Sequence, residues 1–199
     1  MIIKGCVLLL LILTLGFFFK WLYFGLQYTE TPHYQEFKKQ GKISWRHYPP
    51  LNIVKVKVQG PQQEALQKGF VAVAAYIFGE NATHTKIAMT KPVLQMGQAQ
   101  NWQVAFILPQ KYALSDLPLP VKANLELLTL MEGDYLVQRF SGRIRESRLQ
   151  SQMLQLMTFA QVHDCQVQGE PIFAFYNPPW TLPFMRRNEV WLKLEKACL

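Results

Sequence analysis

The chain has 199 residues, half of them apolar, with 17% charged and a net charge of +8 at pH 7. That is enough apolar material for the core of one domain and too little charge for a disordered chain. The cations are scattered, with no long basic run interleaved with aromatics, which argues against nucleic acid and leaves an anionic membrane face or a carboxylate-bearing ligand.

In chain order, Gly5 to Phe19 carries no charge, Lys20 interrupts, and Trp21 to Leu26 continues the apolar run. A spanning helix takes roughly 20 apolar residues, a terminal lysine can snorkel, and Trp21, Tyr23 and Phe24 suit an interfacial belt. No small-residue cleavage site follows, because Gly16 is succeeded by Phe17-Phe18-Phe19-Lys20. Residues 1–27 therefore read as an uncleaved single-pass anchor that meets the lipid bilayer through residues 5–26, the alternative being a buried core helix. Lys4 favours an inside N-terminus while Lys20, Lys38 and Lys39 oppose it, and a signal-anchor with the domain on the exported side is preferred. Cys6 lies in this run, so Cys165 and Cys198 are the two cysteines left for the domain, and their spacing leaves pairing open.

Residues 28–42 are polar and of mixed charge and read as a linker, partly helical at most. The domain is assigned to 43–199. Ile43, Trp45 and His47 alternate with Ser44, Arg46 and Tyr48 before Pro49-Pro50, and Val54, Val56 and Val58 alternate with Lys55 and Lys57, so both stretches read as strands. After Gly60-Pro61, Leu66, Phe70, Val73 and Ile77 mark a helical stripe that Gly79 and Asn81 end. Asn81-Ala82-Thr83 matches a glycosylation pattern of low specificity. Lys86 to Met96 reads as extended with Pro92 inside it, Trp102 to Leu108 as a strand, and Leu114 to Pro120 as a loop.

The second half repeats the first. Asn124 to Met131 and Tyr135 to Phe140 read as strands, and Leu149, Met153, Leu156 and Ala160 follow the first helical stripe at a constant displacement of 83. Val190, Leu192 and Leu194 follow Val104, Phe106 and Leu108 at 86, and Ala174 and Pro178 follow Ala88 and Pro92 at the same interval. Such offsets imply an internal duplication, each half strand-helix-strand-strand and neither able to cover its own apolar faces.

The C-terminal stretch Phe173 to Leu194 reads as strand, rigid proline turn at Pro178-Pro179, and strand. At the entrance of its last strand stand Arg186, Arg187, Asn188 and Glu189. Two cations, an amide and a carboxylate tie a loop down through bidentate Arg–carboxylate bonds or hold an anionic ligand, and the clamp is preferred because most Arg–Glu pairs are structural.

Several strings now resemble one family. Arg46-His47-Tyr48-Pro49-Pro50, Tyr76-Ile77-Phe78-Gly79-Glu80-Asn81, Lys86 to Val93, Tyr176-Asn177-Pro178-Pro179 and Arg186-Arg187-Asn188-Glu189-Val190-Trp191 occur in the order found in the SOUL family of heme-binding proteins. The resemblance spans roughly Ile43 to Lys193. It implies an α+β fold: a distorted antiparallel β-barrel built from two pseudo-symmetric β-α-β-β halves flanked by two helices, here preceded by the N-terminal transmembrane helix. It also looks like the effector-binding domains of multidrug-responsive regulators, which bind hydrophobic ligands in a central cleft. It implies non-covalent binding of heme or a related porphyrin, with His47 as the axial metal ligand and Arg46, Arg186 and Arg187 as partners of the propionates. No Gly-x-Ser-x-Gly, His-Glu-x-x-His or phosphate-binding loop is present, and the chain reads as a binding protein and not an enzyme. The rival reading is a hydrophobic-ligand or protein-interaction module that keeps the fold without heme.

Overall fold

A computed structural model of the chain describes residues 29–196 and 198. The N-terminal apolar run, with the anchor read into it, lies outside the described residues, and among those described no helix is long and apolar enough to cross a membrane. The alternating segments do form strands: β1 (Gln35–Gln40), β2 (Ile43–Tyr48), β3 (Leu51–Gln59), β4 (Val93–Gln98), β5 (Asn101–Ile107), β6 (Leu125–Leu130), β7 (Gly133–Phe140), β8 (Val167–Phe175) and β9 (Asn188–Leu194). Two helices, α1 (Gln62–Ile77) and α2 (Glu146–Val162), follow β3 and β7. The strand β1 falls within the stretch read as linker. Its QEFKKQ sequence has little strand character and is exposed throughout, so pairing with β2 makes it a strand.

All strand pairs are antiparallel, in one sheet of order β1-β2-β7-β9-β8-β4-β5-β3-β6. Its central six strands, β3-β5-β4-β8-β9-β7, read the same from either end as two copies of one strand-helix-strand-strand unit meeting at the β4–β8 pair. The duplication is therefore real, but the barrel is not closed. Beyond these six, β2 beside β7 and β6 beside β3 are counterparts too, displaced by 82 and paired in matching register, so among the strands β1 alone stands outside the repeat. The strands β6 and β1-β2 extend opposite edges of the sheet and do not pair with each other. Both edges carry charge, Lys38 and Lys39 on β1 and Glu126 on β6, which disfavours edge pairing.

One face of the sheet lies under the helices. Val54, Val56, Val104 and Phe106 pack under α1, and Leu136, Phe140, Val190, Leu192 and Leu194 under α2. Val104, Phe106 and Leu108 do match Val190, Leu192 and Leu194, all buried on this face. The helical stripe needs adjustment. Leu149, Leu156 and Ala160 of α2 are buried, but in α1 Phe70 is exposed and Ala65, Gly69, Val73 and Tyr76 point inward. Gly69 allows the close approach: a Cβ there would lie 2.4 Å from the Cβ of Val104.

Ala88 and Pro92 are not the counterparts of Ala174 and Pro178. Ala174 is a strand residue paired with Leu94, whereas Ala88 precedes β4. The first half carries its long connection before its third element, at 78–92, and the second carries it between β8 and β9, at 176–187. The two insertions restore an overall offset that the intervening strands do not share.

The other face curls onto itself without help from a helix. Tyr48, Leu51, Ile53, Leu94, Ala105, Ile107, Tyr135, Val137, Ile172, Ala174, Tyr176 and Trp191, from seven strands, form one buried cluster. Burying each large side chain of this kind contributes roughly 1.5–3 kcal/mol. Where a central ligand cleft is expected, the domain is filled by its own aromatic and branched side chains.

Candidate functional site

Alternation along β2 sends successive side chains to opposite faces. Trp45 joins the helix-covered core, and Arg46 and Tyr48 point to the curled face. On β9, Glu189 and Trp191 share that face, paired across from Ala174 and Ile172. Two strands distant in sequence thereby bring Arg46 and Glu189 together 143 positions apart.

Glu189 is fully buried and saturated. Its Oε1 accepts from Nε and Nη2 of Arg187 at 3.0 and 2.8 Å and from Nη1 of Arg46 at 3.2 Å. Its Oε2 accepts from Nη1 of Arg46 at 3.1 Å, the Tyr176 hydroxyl at 2.8 Å and the Trp191 indole at 2.8 Å. The Arg187 guanidinium stacks on Tyr176 at 3.8 Å and that of Arg46 on Tyr34 at 4.3 Å. Burial alone would raise the Glu189 pKa, but the two guanidiniums and the indole outweigh it and hold the carboxyl below its ordinary value. Burial disfavours the Arg46 cation, but Glu189 and Tyr48 outweigh that and raise its pKa. Burial and the Glu189 charge push the Tyr48 and Tyr176 hydroxyls up, so both stay neutral. Tyr176 donates to Glu189, and Tyr48 accepts from Nη1 of Arg46 at 3.2 Å. The clamp reading of this segment holds, and it locks β2, β8 and β9 rather than the loop alone.

The predicted site residues separate. Arg46 and Arg187 meet at Glu189 as just described. Arg186 points elsewhere, donating through Nε to the Thr181 carbonyl at 2.8 Å and through Nη2 to that of Pro179, so it braces the 176–187 connection. His47 lies on the opposite face of β2 from Arg46. Its side chain is 45% exposed, and Nδ1 lies 2.8 Å from Oδ1 of Asp134, its register partner on β7. With a proton on Nδ1 shared with that carboxylate, Nε2 carries the ring's lone pair. His163 bonds the Phe159 carbonyl and stacks on the Phe159 ring. Among the described residues no three His, Cys, Asp or Glu side chains gather at metal-binding distance.

Sequence reasoning missed Asp134, Tyr176 and Trp191. Only the β2–β7 register brings Asp134 to His47, and no local pattern encodes it. Tyr176 and Trp191 lay inside the strings that carried the resemblance, yet their polar ends were not read as donors. Asn81, part of the glycosylation pattern, is buried and its Nδ2 donates to the carbonyls of Tyr76 and Thr85, so it builds the turn after α1. Cys165 and Cys198, left open above, form a disulfide with Cα atoms 5.1 Å apart, and the Trp45 indole donates to the sulfur of Cys198.

Fold and clamp together define a duplicated α+β domain with an open, strongly curved antiparallel sheet and its polar chemistry concentrated in the second half. The chain belongs to the SOUL heme-binding protein family, whose model matches residues 29–193. It is 29% identical to human heme-binding protein 2 over 162 residues, covering 76% of this chain and 78% of that protein. It is 28% identical to mouse heme-binding protein 1 over 140 residues, covering 66% and 73%. Among solved structures the EcmrR C-terminal domain superposes with a TM-score of 0.62 at 11% identity, covering 82% of this chain and 99% of that one. A hydrolase from Listeria innocua superposes at 0.56 and 11% identity, covering 80% and 94%. These two likenesses describe the fold alone.

Proposed function

We propose that this domain binds heme or a related tetrapyrrole non-covalently, for transport, buffering or sensing, and that His47 supplies an axial ligand. The observation that carries the reading is the His47–Asp134 pair, within a domain matched by the SOUL model almost end to end. A carboxylate on Nδ1 fixes the tautomer and orients the ring so that Nε2 faces outward as a ligand, as carboxylate partners do for metal-bound imidazoles. The donor set fits at that position. It fits less well at the propionates, because Arg46 and Arg187 are engaged by Glu189 and Arg186 by loop carbonyls. The porphyrin's acids therefore fall to exposed cations of the surface.

The membrane anchor in residues 1–27 and export of the domain belong to the same proposal. The Cys165–Cys198 disulfide supports an oxidising compartment. Maleimide labelling of denatured membranes before and after reduction, with the modified cysteines identified, tests it, and Cys165 and Cys198 both labelled before reduction would count against export.

The deciding experiment is heme titration of the full chain, watched at the Soret band, beside His47→Ala and Asp134→Asn. Saturable binding with a histidine-ligated spectrum, lost in His47→Ala and weakened about 10-fold or more in Asp134→Asn, is the expected result. No Soret shift in the wild-type chain overturns the reading. One observation favours a second reading, an interaction module that keeps the fold without heme: the curled face is packed solid by its own side chains. Absence of binding in both wild type and His47→Ala would favour that module, and binding of equal strength in the two would remove His47 as the ligand.

A further inference from the structure

The connection between β8 and β9 presents an unusual surface. Within a few residues Trp180 is 69% exposed, Leu182 55%, Phe184 75% and Met185 54%. Large apolar side chains scattered singly over a surface need no explanation, but a group of four on one loop tip does.

The loop is built to hold them outward. Arg186 bonds two of its carbonyls from inside the turn. Thr181 N–H donates to the Pro178 carbonyl at 3.0 Å, and a 3-10 turn over Pro183–Met185 closes with Met185 N–H on Leu182 at 2.9 Å. Pro178, Pro179 and Pro183 restrict the backbone further. Asn177 Oδ1 accepts the Arg187 N–H, and the Tyr176 N–H donates to the Arg187 carbonyl, so the base of the loop is pinned to the Glu189 clamp. Burying these side chains therefore costs little backbone entropy.

Cations flank the same tip. Gly142 N–H donates to the Pro183 carbonyl at 2.8 Å, and Asn188 Nδ2 donates to the Gly142 carbonyl at 3.1 Å, which joins the loop to the segment before α2. That segment carries exposed Arg143 and Arg145, and exposed Arg148 follows in the first turn of α2. The Arg148 guanidinium lies directly over Gly142, where a Cβ would sit 2.9 Å from its Cζ. Among the described residues none of these three is in an ion pair. One exposed carboxylate, Glu146, stands among them.

We propose that the 178–185 loop is a membrane-docking loop: Trp180, Leu182, Phe184 and Met185 enter the interface of an anionic bilayer while Arg143, Arg145 and Arg148 meet its headgroups. An apolar tip with one interfacial tryptophan and a positive collar is complementary to a surface that is apolar inside and negative at its rim. The contact is separate from the N-terminal apolar run and independent of the tetrapyrrole reading.

The test uses the full chain reconstituted, without heme, in vesicles of phosphatidylcholine alone or with 30% phosphatidylserine, the acyl chains brominated. Trp45, Trp102 and Trp191 are buried, and their emission, like that of Trp21, cancels in the difference between wild type and Trp180→Phe. The expected result is a blue-shifted Trp180 component, quenched by brominated lipid and protected from iodide in the anionic vesicles. Replacing Arg143, Arg145 and Arg148 by Gln should weaken the anionic preference about fivefold per arginine. Leu182→Ser/Phe184→Ser, exposed and so without effect on near-UV circular dichroism, should abolish the quenching. Trp180 that stays open to iodide and unquenched in both vesicles overturns the proposal. Equal quenching in neutral and anionic vesicles overturns the headgroup part. Trp180 quenched by added heme in lipid-free detergent but never by brominated lipid makes the patch a porphyrin surface and also overturns it.

Discussion

Glu189 and Gln103 occupy the same place in the two halves of this domain. They are 86 positions apart on β9 and β5, and both lie on the face away from the helices. Gln103 is half-buried and accepts a single bond from Lys55 at 2.9 Å. Glu189 is wholly buried and takes donors from Arg46, Arg187, Tyr176 and Trp191. The difference arises from the side chains and connections around each position. The first half is flanked by β6, whose Glu126 pairs with Lys55 and Lys57 near solvent. The second is flanked by β2, the counterpart of β6, which puts Arg46 where β6 has Leu128, by Tyr34 just ahead of β1, and by the long β8–β9 connection, which brings Arg187. A duplicated scaffold thus acquires a charged centre on one side only, through Arg46 at a place where the other half has Leu128 and through a long connection that the two halves carry at different points.

The largest expected effect follows from removing the charge on that side. Glu189→Ala strands two largely buried guanidiniums and should cost about 3–5 kcal/mol in urea unfolding. Gln103→Ala, at the matched position, should cost about 0.5 kcal/mol or less. Equal losses at the two sites would erase the asymmetry. The Cys165–Cys198 bond staples the second half and closes a separation of 33 positions. Cys165→Ser/Cys198→Ser should lower stability by roughly 2–4 kcal/mol, read by urea unfolding without reductant. In the first half, Gly69→Ala drives a methyl into Val104 and should cost about 1–3 kcal/mol, although Ala is the better helix former in isolation.

A pH series sharpens the contrast with least perturbation. The folded Glu189 pKa is held below its ordinary value of 4.5, so its contribution is fully present above that pH. That contribution is lost as pH falls through the folded value. Wild type should lose stability steeply below about pH 4.5, and Glu189→Gln should show a shallower acid limb from a lower plateau. An acid limb of unchanged slope in Glu189→Gln would move the acid sensitivity to other carboxylates.

Much of the fold was written in the chain. Valine alternation gave β3, and the 83-position displacement of two helical stripes gave the duplication. Periodicity reports burial on one element, and repetition reports that the same packing problem recurs. The barrel and the linker failed for the complementary reason. Closure depends on which edges meet, and β1 is a strand because β2 offers a free edge and not because QEFKKQ prefers to be one. The displaced equivalence of Ala88 with Ala174 failed because two insertions at different places happen to restore the same offset.

The candidate site divides in the same way. Arg46, His47, Arg186, Arg187 and Glu189 stood out as residues, and the Arg187–Glu189 clamp, two positions apart, was readable from spacing. Sequence alone determined the family, the repeat and the identity of the chemically active side chains, because each is a property of residue types at fixed separations. Tertiary structure alone decided that Arg46 faces Glu189 while His47 faces Asp134. Adjacent residues on a strand point to opposite faces, and the partners waiting on each face are set by the pairing of β2 with β7 and of β7 with β9.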